Sequence, residues 1–200
     1  AAGLLVASAF ALAGTAAADE RGWPQRAGGI KDDSAQAVTK DDRGNIYVAG
    51  RFEGTASFGT FSLVSAGVSD IYVGKLDNVG NWLWVTRAGG GGADAALGVA
   101  VDTGGNVYVT GSFQSSATFG SIGIVGSTAN DDDLFVAKLD AFGNWRWAAA
   151  AIGAGQAMGN SIAVNGASEV FITGQFSASL AFTGSSINLA TTWAHPTDND

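Results

Sequence analysis

The sequence predicts an all-β chain of repeated four-stranded antiparallel units, because one block recurs, its apolar runs read as strands, and glycine turns separate them. Gly44–Gly50 (GNIYVAG) returns as Gly105–Gly111 (GNVYVTG) and, altered, as Ser168–Gly174 (SEVFITG). Gly50, Gly111 and Gly174 are 61 and 63 residues apart, and Phe52, Phe113 and Phe176 keep that spacing, as do Phe58, Phe119 and Phe182. Asp70, Lys75, Asp77, Gly80, Trp82 and Trp84 return 63 residues on as Asp133, Lys138, Asp140, Gly143, Trp145 and Trp147. A fixed period of this length means supersecondary units that each bury a face against the next.

The first 18 residues stand apart: AAGLLVASAFALAGTAAA is apolar, ends in small residues and precedes Asp19-Glu20. This is the hydrophobic core and A-x-A site of a secretory signal peptide, so residues 1–18 are excluded from the predicted fold. Residues 19–34 follow as an orphan outer strand, since Trp23–Gly29 aligns with Trp84–Gly90. The first run is Ala35–Lys40, with Leu97–Asp102 and Ser161–Val164 as its counterparts. The second is Asn45–Phe52, matched by Asn106–Phe113 and Glu169–Phe176. The third and fourth are Ile71–Leu76 and Trp82–Arg87, matched by Leu134–Leu139 and Trp145–Ala150. Tyr, Val, Ile, Phe and Trp in short runs bounded by Gly, Asp and Asn are the strand signal.

The turns agree with the runs. Asp41–Asn45, Asp77–Asn81, Asp102–Asn106 and Asp140–Asn144 read D-x-x-G-N. Asp accepts backbone N–H groups in an Asx turn, and Gly takes positive φ at little cost. Between the second and third runs, Thr55–Gly67 leaves room for an extra hairpin or a long loop. Ile46 and Val48 point one way and Tyr47 and Ala49 the other, so the second run is apolar on both faces. A small sheet buried on both faces needs a neighbour on each side. Four-stranded sheets packed around an axis supply both, which is a β-propeller. The units run 35–96 (blade 1), 97–160 (blade 2) and 161–200 (half of blade 3). Closure takes four to eight blades, so residues 19–200 read as an incomplete propeller, a piece of a longer protein.

Composition narrows the function classes. A net charge of −8 offers no basic surface to neutralise phosphates, which argues against nucleic acid and anionic membrane partners. With no cysteine, disulfide frameworks and thiolate metal sites are excluded. Hydrophobic residues at 46% suffice to bury a core.

The text D-[IL]-[YF]-V-[GA]-K-L-D-x-x-G-N-W-x-W, then A-G-G, then G-V-A-V-D-x-x-G-N-V-Y-V-T-G-S-F, is best carried by Asp133–Trp147 and Gly98–Phe113. It resembles the SBBP bacterial β-propeller repeat, over roughly residues 23–182. The resemblance implies secreted or cell-surface proteins of mostly unassigned activity, and supplies no catalytic motif. The third copy departs from it: Gly44, Asn45 and Asp94 become Ser168, Glu169 and Ala157.

Candidate ligand or polar structural positions are few. Lys75 and Lys138 sit in apolar strands, where a buried ammonium needs a partner. A carboxylate repeated once per blade is expected to supply it, either Asp70/Asp133 or Asp33/Asp94. Trp82/Trp84 and Trp145/Trp147 are i, i+2 pairs expected to share a strand face. Trp84 and Trp147 are then either a sugar platform or packing between blades, and recurrence favours packing. Asn130–Asp133 and Asp198–Asp200 are oxygen-rich loops where calcium is the one metal to consider, though neither has a calcium-loop spacing. No cofactor is expected. His195 is the only histidine, and no nucleophile elbow exists. The expected function is therefore a non-enzymatic secreted, periplasmic or cell-surface module that binds a protein or glycan, with no membrane insertion after signal cleavage. Alternatives are a quinoprotein-like enzyme, since Ala137–Trp147 resembles the tryptophan-docking motif of those propellers, and a structural repeat of a surface adhesin or stalk.

Overall fold

The computed structural model describes residues 4–6, 25–127, 131–153, 155–177 and 180–183. In chain order, β1 (Leu4–Val6) and β2 (Gln25–Gly29) come first. The first unit holds β3 (Ser34–Lys40), β4 (Ile46–Phe52), β5 (Thr55–Phe58), β6 (Phe61–Val64), β7 (Asp70–Leu76) and β8 (Trp82–Gly90). The second holds β9 (Ala95–Val101), β10 (Val107–Gln114), β11 (Ser116–Phe119), β12 (Ile122–Val125), β13 (Asp132–Leu139) and β14 (Trp145–Gly153). The third contributes β15 (Ala157–Val164), β16 (Val170–Phe176) and β17 (Leu180–Thr183).

Each unit forms the expected antiparallel meander, β3-β4-β7-β8 and then β9-β10-β13-β14. The strands start up to four residues before the expected runs or run three beyond them, as β15 and β14 do. The segment between second and third runs is a hairpin, and it joins the sheet of the preceding blade. β5 pairs with β2, β11 with β8 and β17 with β14. The sheet of blade 1 therefore has six strands in the order β12-β11-β8-β7-β4-β3. In both complete hairpins Ala and Phe point inward and their neighbours outward, the alternation of a half-buried strand.

The A-G-G text after the fourth strand permits this exchange. A Cβ on Gly90 would stand 1.9 Å from the Ser116 carbonyl oxygen, so only glycine lets β11 come alongside. Gly89 has φ +142° and lies against the Asp70 and Asp94 carboxyls. At the N-terminal end, Leu4–Val6 pairs with β2 in the place a third strand takes in the full units.

Apolar clusters lie between sheets. Tyr47, Ala49, Ile71 and Val73 of blade 1 pack with Val99, Val107, Val109 and Phe113 of blade 2. Val48, Phe52, Tyr72 and Leu76 face the N-terminal sheet, and Tyr108 and Val136 face the third unit. Both faces of β4 and β10 are thus covered, as their alternation requires, whereas β16 is largely exposed. The first strands neighbour one another in succession from sheet to sheet, β3 with β9 and β9 with β15, the arrangement of innermost strands about an axis.

Candidate functional site

The five short turns all lie at one end of the sheets. In the first, Asp41 Oδ1 accepts from the Arg43 and Asn45 N–H groups, and Oδ2 accepts from Asn45 Nδ2 and the Tyr47 hydroxyl. Asp102 repeats the pattern with Asn106 and Tyr108. Burial works against both carboxylates, but these hydrogen bonds win and hold them below the ordinary Asp range. In Asp140 the donors are Phe142, Asn144 and the Arg146 guanidinium, and its pKa falls to about 2. The third unit keeps the turn with exchanged chemistry. Asn165 takes the place of Asp, its Nδ2 donates to Glu169, and Ser168 holds the glycine position at φ +62°.

Between the first turns of blades 1 and 2 opens a cleft of about 200 Å³. Lys40, Asp41 and Arg43 line one wall, Asp102 and Gly104 the other, with Lys75 and Ala141 also contributing. Among the described residues Lys75 pairs with no carboxylate, contrary to the expectation from sequence. Its Nζ lies 5.1 Å above the Tyr47 ring, and Lys138 Nζ lies 4.9 Å above Tyr108. The register sets this: Tyr47 and Lys75 are directly opposite on β4 and β7, as are Tyr108 and Lys138 on β10 and β13. A cation over an aromatic face is stabilised by the ring quadrupole.

The tryptophan pairs do not share a face, which corrects the second expectation. Lys75 faces Trp84 but Leu76 faces Trp82, so Leu83 is an extra residue in the ladder. A β-bulge breaks the two-residue alternation, and Arg146 does the same in blade 2. Trp82 therefore packs back on Phe58, at 5.4 Å, while Trp84 turns forward to blade 2. Trp84 Nε1 donates to the Ala141 carbonyl, and its indole covers Gly143. Trp145 Nε1 donates backwards to the Arg87 carbonyl, and Trp147 packs with Tyr108 towards the third unit. These side chains lock neighbouring blades together.

The expected carboxylate partners lie elsewhere, at the other end of the sheets. Asp33 accepts from the N–H groups of Gly29 and Glu53, and Asp94 from those of Gly90 and Gln114. Each ties the fourth strand of one sheet to the second strand of the next. Asp70 is fully buried, accepts from Ala66 and Gly67, and pairs with Arg87. Asp133 is equally buried but takes its bonds from Ser127. Blade 2 has Ala150 where blade 1 has Arg87, so that ion pair belongs to blade 1. Asp132 accepts from Gln114 Nε2. No group of three or more acidic, Cys or His residues fit for a metal occurs among the described residues. Asn130, His195 and Asp198–Asp200 lie outside them. The structure shows the Asx turns and the tyrosine hydroxyls completing them. The D-x-x-G-N-x-[YF] spacing was the available signal for that tyrosine role.

Stacked antiparallel blades with recurring turns and inter-blade tryptophans define a β-propeller repeat protein. Residues 83–112 match the family model of the SBBP beta-propeller repeat, from the fourth strand of one blade to the second strand of the next. The chain is also 26% identical over 187 residues to an uncharacterized WD repeat-containing protein of Acanthamoeba polyphaga mimivirus. That alignment covers 77% of this chain and 13% of the relative, so the chain spans a small part of the relative's length.

Proposed function

We propose that this protein is a non-catalytic binding or scaffold module of the secreted, periplasmic or cell-surface space, and that its short-turn rim is the docking face. The carrying observation is the construction of that rim. The Asp41, Asp77, Asp102 and Asp140 side chains are consumed by their own turns and held ionised, so they brace the surface instead of exchanging protons. The turns in turn hold Val79 and Phe142 out at their tips, 61% and 81% exposed. Rigid loops presenting exposed apolar groups are where recognition concentrates on such scaffolds. The apolar N-terminal segment with its small-residue end supports export.

The test is to screen the protein against immobilised proteins and glycans, with surface-protease accessibility on intact producing cells. The expected result is a retained partner, its loss in Val79→Asp/Phe142→Asp, and digestion from outside the cell. Retention unchanged by the double substitution, or protection from external protease, overturns the proposal.

A further inference from the structure

We propose that the cleft between the first turns of blades 1 and 2 binds a small organic monoanion the size of one sugar acid, its carboxylate held by Lys40, Arg43 and Lys75. This deepens the binding reading of the same rim and rests on it.

The cations carry the argument. Three of the ten Lys and Arg residues of a chain with net charge −8 line this one cleft. None of the three has an ion-pair partner among the described residues, whereas Arg87 and Arg146 are paired. Asp41 and Asp102, which also line the cleft, spend both oxygens on their own turns. Their charges offset the local field, but their lone pairs are not available to the lysines. Asp42 is exposed at the mouth. Lys75 is half-buried, is held in place by the Tyr47 ring, and has no hydrogen-bond acceptor among the described residues. An ammonium carries three donors, and a half-buried one is served best by an oxygen that enters with a ligand.

The repeat supplies an internal comparison. Lys138 holds the equivalent position over Tyr108, but Val101 and Gly104 stand where blade 1 has Lys40 and Arg43. The flanking cations are thus particular to one cleft and are not required by the blade. Its volume is below the roughly 300 Å³ at which pockets for drug-sized ligands begin, which limits the ligand to about one ring with one acidic group.

The experiment is a ¹H–¹⁵N titration of the full chain with glucuronate, and in parallel with glucose, sodium sulfate and a hexaglutamate peptide. Glucuronate is expected to shift the Arg43–Asn45 and Gly104–Gly105 amides saturably, while glucose leaves them in place. K40Q/R43Q, with both positions exposed and neither side chain ion-paired among the described residues, should weaken binding by about tenfold or more. K138Q should leave it unchanged. The proposal is overturned by no response, by an equal response to glucose, or by sulfate competing as well as glucuronate, which marks a simple anion site. It is also overturned if hexaglutamate alone binds, or if K40Q/R43Q binds like wild type. A partner still captured through Val79 and Phe142 when glucuronate fails leaves the broader rim reading standing.

Discussion

Tyr72 shows what a repeat reveals about a single atom. Its hydroxyl is buried with no hydrogen-bond partner among the described residues, and burial, with Asp33 nearby, raises its pKa. The same position in blade 2 is Phe135, equally buried. An unsatisfied buried hydroxyl costs about 1–3 kcal/mol, so Tyr72→Phe should stabilise the protein by about 1 kcal/mol in urea unfolding; destabilisation would mean that the hydroxyl has a partner. Asp94 is a different case. Burial raises its pKa to about 6 against the pull of the Gly90 and Gln114 N–H groups, with Asp70 and Asp132 adding to the rise. A carboxyl whose folded pKa lies above its unfolded value favours the fold while protonated. Its contribution is therefore lost as pH rises from about 4 through 6. The loss amounts to roughly 3 kcal/mol for a shift of this size. Asp41, Asp102 and Asp140 act oppositely, because their folded values are lowered and their support disappears as pH falls below about 4. Stability should peak in mild acid. Asp94→Asn should flatten the decline between about pH 4 and 6, even if its overall stability is lower. A decline equally steep in the variant would assign it to other groups.

The short turns and the strands they join were legible because each is specified by local chemistry: an Asx acceptor, a positive-φ residue and a β-rich run. The third-unit turn tests how far that code stretches. Ser168 occupies a backbone region that costs a side-chain-bearing residue about 1–2 kcal/mol. Gly44, Gly80, Gly105 and Gly143 hold the corresponding positions in the other turns at φ +80° to +91°. Ser168→Gly should raise stability by about 1 kcal/mol, read as a higher melting temperature, and an unchanged or lower melting point would show that the serine is not strained. The bulges at Leu83 and Arg146 were not legible. A strict alternation was the natural reading of W-x-W, and nothing local announces an extra residue in a ladder whose partner strand lies several residues away. The Lys75 partner was missed for a related reason. Charge complementarity pointed to aspartate, but cross-strand register placed tyrosine directly opposite, and the aspartates were engaged by backbone N–H groups closer to them.

Across the whole molecule, the repeat period and the two-faced second strand carried the propeller, and Thr55–Gly67 was open between hairpin and loop. Which sheet the hairpin joins is a long-range choice, set by Gly29 and Gly90 and by where a phenylalanine finds its pocket. Phe119 sits on a strand of the blade 1 sheet, yet its ring packs on Phe135 and Trp145 of blade 2, at 5.1 and 4.9 Å. It therefore adds an apolar link between two blades that Trp84, Trp145 and Asp94 already tie by hydrogen bonds. Phe119→Ala should cost about 3–5 kcal/mol. Hydrogen exchange should then accelerate in β8 as well as in β13 and β14. Protection lost in one blade alone would show that the blades unfold independently.

The donated hairpin offsets the unit of sequence from the unit of structure. The two full repeats each bring the hairpin that finishes the blade before it, and the third brings β17 to the sheet of blade 2. A duplication of one whole period therefore inserts a new sheet together with the clasp for its predecessor, and the hairpin of the following repeat clasps the newcomer. Chains of this kind can lengthen or shorten by whole periods without leaving a raw edge at the splice, so repeat number is a property that inheritance can vary cheaply.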